Sequence, residues 1–137
     1  SLLFFIFDVS GQKTVGVRGI LKCGGKPMPG ANVTLGTVRN WPNFGRVFDT
    51  VKSDAKGYFE LFGTAHGIRR LKPVVKVTHF CNFSGNITNS VDCERVVTYP
   101  VPDEYIAKST TEIGRWYHLE TTDMSIVQVN EMGRCSS

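Results

Sequence analysis

Short runs in which apolar and polar side chains alternate dominate this chain of 137 residues. In the run ANVTLGTVR, for example, Ala31, Val33 and Leu35 alternate with small or polar residues. Alternation with a period of two places the apolar side chains on one face, which is typical of a strand with one buried side. No segment shows sustained helical periodicity, and glycine or proline separates many of the runs. The pattern therefore predicts an all-β fold.

Seven or eight strands are predicted from these runs. They are TVGVRGILKC, ANVTLGTVR, RVFDTVK, SDAKGYFELFG, LKPVVKVTHFC, CERVVTYPV and RWYHLET, with DMSIVQV as a last edge strand. Turns are expected at Gly24-Gly25 and between Asp54 and Gly57. In RVFDTVK, Val47 and Val51 are expected on the face opposite Phe48. The segment VPDEYIAKSTTE is expected to hold a short helical turn, and strands at this spacing indicate an antiparallel β-sandwich.

The chain is long enough for one domain, which we place at residues 12–137. Residues 1–11, SLLFFIFDVSG, are interpreted as the remnant of a secretory signal peptide. The apolar run from Leu2 to Phe7 is too short to span a bilayer, and Val9 and Gly11 fit the −3 and −1 positions of a cleavage site. The alternative is an apolar N-terminal strand that remains part of the domain.

Four cysteines and three N-x-[ST] sequons indicate an oxidising compartment. The cysteines are Cys23, Cys81, Cys93 and Cys135, and the sequon asparagines are Asn32, Asn82 and Asn86. Four cysteines allow three pairings. Cys81 and Cys93 flank the same polar loop and are the favoured pair, which leaves Cys23 with Cys135. We therefore expect a secreted, extracellular glycoprotein with two disulfides.

The order of these motifs resembles the transthyretin-like family of secreted nematode proteins, over roughly Val15 to Leu119. The segments that carry the resemblance are VRGILKCGGKPMPGANVTL, TVKSDAKGYFEL, KPVVKVTHFC and CERVVTYPVPDEYI. Its most specific elements are V-R-G with C-x-G-K-P, the S-D-x-x-G-x-F-E turn, and H-x-C … C-x-R before P-x-x-Y-I. The resemblance implies a transthyretin-type sandwich, secretion and a disulfide between Cys81 and Cys93. It also implies a range of activities. The best understood kind of member bridges phosphatidylserine on dying cells to an engulfment receptor.

No enzymatic function is predicted, because the sequence shows no recognisable pattern of catalytic residues. The 5-hydroxyisourate hydrolases share the transthyretin sandwich but carry a C-terminal Tyr-Arg-Gly-Ser and convergent histidines, whereas this chain ends GRCSS. Its three histidines, His66, His79 and His118, fall in a turn and in two different predicted strands. No histidine spacing typical of a metal site occurs. We therefore expect no catalytic residues, no metal site and no cofactor.

Two basic segments are the candidates for lipid or partner binding. RNWPNFGRVF contributes Arg39, Trp41, Phe44 and Arg46, and HGIRRLK contributes Arg69, Arg70 and Lys72 beside His66. Tryptophan favours the headgroup region of a membrane, and arginine pairs bidentately with phosphate. These segments can act together only if they share one end of the sandwich. The alternative is that the rings fold back over the sheet and that the basic residues form a solvated surface.

The sequence thus favours a binding protein that recognises an anionic membrane, phosphatidylserine first, with the extracellular domain of a phagocyte receptor as second partner. Such a protein would promote engulfment of apoptotic cells. The net charge of +4 fits this interpretation. The alternative is a carrier of a small hydrophobic ligand in the channel of an oligomer. A nucleic-acid partner is not expected, because the chain carries the marks of secretion.

Overall fold

The computed structural model describes residues 11–40, 43–66, 71–88 and 93–133. Across these ranges ten strands form two five-stranded sheets. They are β1 (Gln12–Cys23), β2 (Lys26–Pro27), β3 (Asn32–Asn40), β4 (Asn43–Lys52), β5 (Tyr58–His66), β6 (Pro73–His79), β7 (Arg95–Pro100), β8 (Ala107–Lys108), β9 (Trp116–Asp123) and β10 (Glu131–Gly133). Within the same ranges, no helix is long and apolar enough to cross a membrane. The predicted β-sandwich is confirmed.

Strand β1 is the centre of the first sheet. It pairs with β5 from Gln12, opposite His66, to Ile20, opposite Tyr58. Its other neighbours are β2, β8 and β9. The β1–β9 pair is parallel, whereas the other pairs of both sheets are antiparallel. The second sheet has the strand order β10-β7-β6-β3-β4.

The core lies between the two sheets and is made of the side chains that the alternation predicted. Ala31, Val33 and Leu35 of the second predicted run are at most 3% exposed, and Phe59 and Leu61 of β5 are at most 2% exposed. Their partners across the core include Val17, Leu21, Val75, Val77 and Val97. Burial of such side chains is the main favourable contribution to folding. The period of two in the sequence therefore identified the inner faces of both sheets.

Strand β4 does not present the faces that strict alternation predicts. Leu35 pairs with Asp49, but the next pair joins Gly36 to Val47, so Phe48 is an extra residue in β4. Such a bulge shifts the side-chain alternation by one position. Phe48 consequently packs against the core, whereas Val47 is 54% exposed. The expectation that these two residues lie on opposite faces holds, but Val51 joins Phe48 on the core side rather than Val47.

The disulfide pairing differs from the prediction. Cys23 at the end of β1 is bonded to Cys81, just beyond β6, with a Cα–Cα distance of 5.8 Å. The predicted bond between Cys81 and Cys93 is therefore wrong, and so is the bond between Cys23 and Cys135. Cys93 is also disulfide-bonded, while Cys135 lies outside the described residues. Because β1 and β6 belong to different sheets, the Cys23–Cys81 bond ties the two layers together.

The predicted edge strand DMSIVQV is also absent, and β10 forms a few residues later. The Asp123 carboxylate accepts hydrogen bonds from the N–H groups of Gly24 (3.0 Å), Gly25 (2.7 Å) and Ser125 (2.9 Å). Burial opposes the charge, but these bonds and the Ser125 hydroxyl outweigh it and lower the pKa of Asp123 to about 2. The carboxylate thus ends β9 in a turn and clamps it to the β1–β2 turn.

Three further expectations concern the loops and the N-terminus. The Gly24-Gly25 turn is confirmed, and both residues have positive φ, 62° and 81°, which glycine adopts without strain. The helical turn expected within VPDEYIAKSTTE is confirmed as a 3-10 helix, Asp103–Tyr105. Residues 1–10 lie outside the described ranges, so the signal-peptide remnant at residues 1–11 stays a prediction.

Candidate binding surface at the basic end of the sandwich

The two basic segments lie at the same end of the second sheet. Thr37 of β3 pairs with Pro73 of β6 on one side and with Arg46 of β4 on the other. Neighbouring strands are about 5 Å apart, so Lys72, which precedes Pro73, lies close to the same edge as Arg46. The condition that both segments share one end is therefore met for the described part of each.

The first sheet contributes further lysines to this end. Strand β1 finishes at Cys23, whose disulfide partner Cys81 follows the far end of β6. The start of β1 therefore lies at the opposite end, where Lys13 pairs with Lys108 of β8. We call the end that holds Lys13, Arg46, Lys72 and Lys108 the basic end. The other end, which holds Cys23–Cys81, is called the disulfide end.

Arg46 is exposed and is held by its own strand. Its guanidinium lies 5.6 Å from the centroid of the Phe48 ring, and its backbone N–H donates to Thr37 Oγ1 at 3.2 Å. It forms no ion pair with any residue in the described ranges. The bulge at Phe48 thus supplies an aromatic surface beneath a positive charge that remains open to an anionic partner.

An open groove of about 460 Å³ lies at the basic end, beside Lys72. Its lining residues are Val38, Lys72, Pro73, Val74, Pro100, Val101 and Asp103. The Val101 N–H donates to the Pro73 carbonyl oxygen at 2.9 Å and holds the two sides of the groove together. Val74 and Val101 are buried, whereas Lys72 and Asp103 are exposed. The groove therefore combines an apolar floor with one positive and one negative charge.

The seven predicted binding residues have different outcomes. Arg46 and Lys72 lie together at the basic end. Arg39 and Phe44 belong to β3 and β4 rather than to a loop, and their side chains are outside the description. Trp41, Arg69 and Arg70 lie outside the described residues; Asn40 and Asn43, which flank residues 41 and 42, pair with each other.

Sequence reasoning missed Lys13, Lys108 and Asp103 as members of this end. Lys13 and Lys108 are 95 positions apart in the chain, and only the β1–β8 pairing brings them together. Asp103 stands in the segment VPDEYI, where the sequence indicated a helical turn and the P-x-x-Y-I element but not a binding role for Asp103. No local pattern in the sequence links these three residues.

The three sequons lie at the disulfide end. Asn32 opens β3 and pairs with Thr78 near the end of β6, and Asn82 and Asn86 follow β6 directly. With a rise of about 3.3 Å per residue, Asn32 is about 26 Å from Asn40 at the far end of β3. Asn32 and Asn86 are exposed, and Asn82 is half-buried. Glycans on these residues would leave the basic end uncovered.

The H-x-C … C-x-R motif forms a buried polar cluster at the disulfide end. Arg95 is fully buried, and its guanidinium makes a bidentate ion pair with Glu131, with N–O distances of 2.6 and 3.0 Å. It also donates to the carbonyl oxygens of Cys81 (3.0 Å), Met124 and Ile126 (3.2 Å). The bonds to Met124 and Ile126 occupy carbonyl oxygens that a regular strand would pair with a neighbouring strand. The chain before β10 is therefore irregular.

His79 lies next to Arg95 in the β6–β7 pairing and is 1% exposed. Its Nδ1 accepts the Cys81 N–H at 3.1 Å, so the neutral ring carries its proton on Nε2. Burial, followed by the positive charge of Arg95, lowers the pKa of His79 to about 4, against a smaller opposite effect of Glu131. The ring is therefore neutral at physiological pH and has a structural position.

The low pKa of His79 predicts a loss of stability in acid. The pKa is lower in the folded chain than the usual 6.5, so the stabilisation is complete above pH 6.5 and decreases as the pH falls toward 4. The full effect is about 3 kcal/mol. His79→Asn keeps an acceptor for the Cys81 N–H but cannot take up the proton. Urea denaturation from pH 7 to pH 4 should show a smaller loss for His79→Asn than for the wild type. Parallel pH dependences for the two proteins would contradict this assignment.

The three histidines do not form one site. His118 of β9 lines a surface cavity of about 630 Å³ on the first sheet, and its Nε2 lies 3.4 Å from the Arg18 guanidinium. His66 ends β5, and His79 is buried in the second sheet. Among the described residues, no group of three or more His, Cys, Asp or Glu side chains is placed to hold a metal ion. The described histidines therefore offer no assembled centre for catalysis.

Comparison with known proteins agrees with this fold. A model of the transthyretin-like family matches residues 18–102. Transthyretin-like protein 5 of Caenorhabditis elegans is 29% identical over 75% of this chain and 70% of its own length. Transthyretin-like protein 33 of the same organism is 24% identical over 98% of this chain and 93% of its own length. Transthyretin-like protein 16 of the same organism is 26% identical over 90% of this chain and 83% of its own length.

Among solved structures, a 9R-lipoxygenase from Cyanothece PCC8801 aligns with 88% of this chain and 18% of its own, at 11% identity and a TM-score of 0.41. A likeness at that level establishes no common fold. The family match covers most of the sandwich, including the motifs around Cys23, Cys81 and Arg95. The chain belongs to the transthyretin-like family.

Proposed function

We propose that this protein is a secreted, non-enzymatic binding protein that recognises an anionic membrane, with phosphatidylserine as the preferred lipid, through its basic end. A receptor ectodomain on a phagocyte is the proposed second partner, so that the protein promotes engulfment of apoptotic cells. The disulfide between Cys23 and Cys81 supports an extracellular location, because such bonds persist in oxidising compartments.

The single observation that carries the proposal is that one group of basic residues lies at the end of the sandwich away from the sequons. Lys13, Arg46, Lys72 and Lys108 share one end of the sandwich, whereas the sequon asparagines lie at the other. A surface that meets a membrane must be free of bulky glycans. The basic end satisfies this requirement and presents the charge that an anionic leaflet attracts.

Charge alone gives weak affinity. Each basic residue near an anionic leaflet contributes about 1 kcal/mol, so the three exposed ones, Arg46, Lys72 and Lys108, contribute about 3 kcal/mol, which corresponds to a dissociation constant of about 6 mM. An apolar contact is needed in addition. Trp41, whose neighbours Asn40 and Asn43 lie at the basic end, is the proposed inserting residue, since burial of a large side chain adds about 2 kcal/mol.

A bridging protein also needs a second surface away from the membrane. Exposed apolar side chains at Ile126, Val127 and Val129 follow the Asp123 turn, and the Ile126 carbonyl oxygen accepts from Arg95 near the disulfide end. With the basic end on the membrane, these side chains would face away from it. We therefore assign the receptor contact to this part of the molecule.

The test is co-sedimentation with liposomes of phosphatidylcholine, with and without phosphatidylserine. We expect the protein to bind the vesicles that contain phosphatidylserine and to remain in solution with the neutral ones. Arg46→Ala with Trp41→Ala should weaken binding about tenfold or more, because one charge and one inserted ring are lost. Lys56→Ala is the matched control, because this exposed lysine lies at the opposite end, in the turn that precedes β5.

Equal binding to neutral vesicles would contradict electrostatic recognition. Equal weakening by Lys56→Ala and Arg46→Ala would show that net charge, rather than the basic end, is responsible. The first result would remove the membrane proposal, and the second would remove the assignment of membrane binding to the basic end.

A second candidate function is the carrier of a small hydrophobic ligand. It is favoured by the cavity on the first sheet, where Ile20 is 38% exposed and Tyr58 and Leu119 contribute to the lining. A carrier of this kind would assemble over that surface and enclose the cavity. Sedimentation that shows a dimer or tetramer, dissociated by Ile20→Glu, would favour the carrier over the membrane-binding protein.

A further inference from the structure

The groove at the basic end holds two opposite charges that do not neutralise each other. Lys72 and Asp103 both line it and both are exposed. Neither side chain makes an ion pair or hydrogen bond with another residue in the described ranges. Exposed charges of opposite sign that line the same groove commonly form an ion pair. Here they remain available to a ligand.

The two charges come from segments that are separate in the chain but lie side by side in the fold. Lys72 immediately precedes β6, and Asp103 begins the 3-10 helix that follows β7. The hydrogen bond from the Val101 N–H to the Pro73 carbonyl oxygen fixes these segments side by side. The apolar floor, which includes Val74, lies between them. The backbone positions from which the two charged side chains extend are thus held together at this edge of the sheet.

This arrangement selects the charge pattern of the ligand. A simple anion would be attracted by Lys72 and repelled by Asp103, and a simple cation would meet the reverse. A zwitterion with a phosphate and a primary ammonium satisfies both side chains, through charge-assisted hydrogen bonds. A quaternary ammonium has no N–H to donate to the carboxylate. The surrounding lysines and Arg46 favour a ligand whose net charge is negative.

We propose that the groove binds the headgroup of an aminophospholipid, with the Asp103 carboxylate accepting from the ammonium and the Lys72 ammonium donating to the phosphate. The glycerol backbone and the first carbons of the chains lie over Val74 and its apolar neighbours. This assignment rests on the proposed membrane function and goes further, because it names the residue that distinguishes phosphatidylserine from other anionic lipids. Phosphatidylglycerol has the same net charge but lacks the ammonium.

The experiment compares vesicles of phosphatidylcholine that contain either phosphatidylserine or phosphatidylglycerol at the same molar fraction. We expect the wild type to bind phosphatidylserine vesicles about tenfold more tightly, as one additional charge-assisted hydrogen bond predicts. Asp103→Asn should abolish this preference and leave the binding of phosphatidylglycerol vesicles intact. Lys72→Met should weaken the binding of both kinds of vesicle.

The matched control is Glu104→Gln, which removes the same charge from the next residue. Glu104 is exposed and does not line the groove, so the preference for phosphatidylserine should persist. Because Lys72, Asp103 and Glu104 are all exposed, the three variants should keep the circular dichroism spectrum and thermal midpoint of the wild type. These measurements confirm that a change in binding does not arise from unfolding.

The outcomes separate this inference from the proposed function. If the wild type binds both anionic vesicles equally, or if Asp103→Asn keeps the preference, the headgroup assignment is wrong, while recognition of an anionic membrane through the basic end stands. If neither vesicle binds, both are wrong. If glycerophosphoserine binds in solution while no vesicle does, the groove takes a soluble zwitterion and the lipid assignment is overturned.

Discussion

Replacement of Arg95 by methionine is expected to lower the free energy of unfolding by about 4 kcal/mol, because it leaves the Glu131 carboxylate buried without its partner. The Glu131 side chain is only 8% exposed in the ion pair. The carbonyl oxygens of Cys81, Met124 and Ile126 would lose their donor at the same time. Urea denaturation at pH 7, followed by tryptophan fluorescence, measures the effect.

Two further variants show whether the ion pair itself is responsible. Arg115→Met is the control, because Arg115 also faces a carboxylate, Glu104, at 3.8 Å but is 61% exposed; its loss should change stability by less than about 0.5 kcal/mol. Arg95→Lys keeps the charge but not the planar fork, so it should recover only part of the lost stability. A loss below about 1 kcal/mol for Arg95→Met would contradict the structural role of this cluster.

Removal of the Cys23–Cys81 bond is expected to have an effect of similar size. The bond closes a loop with a sequence separation of 58 residues, which corresponds to about 4 kcal/mol when loop-closure entropy is the source of the stabilisation. The double variant Cys23→Ala/Cys81→Ala should therefore unfold at a much lower urea concentration than the wild type. An unchanged midpoint would show that the bond adds nothing to the hydrophobic contacts between the sheets.

Peptide mapping of the unreduced wild-type protein tests the disulfide pairing directly. Trypsin leaves Cys81 and Cys93 on one peptide, because no lysine or arginine lies between them. Additional cleavage before Asp92 separates the two cysteines, and mass spectrometry without reduction should then find Cys81 joined to Cys23. In the single variant Cys81→Ala, the thiol that becomes reactive should be Cys23. Reactivity at Cys93 would support the pairing predicted from the sequence instead.

The two stability predictions give the motif that carries the family resemblance a structural role rather than a binding role. His79, Cys81, Cys93 and Arg95 make up H-x-C … C-x-R, and the structure places them in or beside the buried cluster at the disulfide end. They stabilise the sandwich and have no access to a large ligand. The candidate binding residues, Arg46, Lys72 and Asp103, lie outside the motif. Membership of the family therefore establishes the sandwich, while the ligand has to be argued from the basic end.

Local sequence was a good guide to the strands and a poor guide to the places where strands end. The inner faces of β3 and β5 followed directly from alternation, because a half-buried strand requires it. The prediction failed at DMSIVQV, where alternation also occurs. There the Asp123 carboxylate accepts from the Ser125 N–H, and the guanidinium of Arg95, which is distant in the chain, donates to the carbonyl oxygens of Met124 and Ile126. A strand would need these backbone groups.

The amino-acid sequence by itself determined the all-β class, the sandwich, the inner faces of most strands and the family. These properties follow from side-chain periodicity and turn residues, which act over a few neighbouring positions. Only the tertiary structure decided that Cys23 bonds to Cys81, that Phe48 turns inward, and that Lys72 shares a groove with Asp103. Each depends on which strands become neighbours, and that choice is made by burial of the whole core rather than by any local pattern.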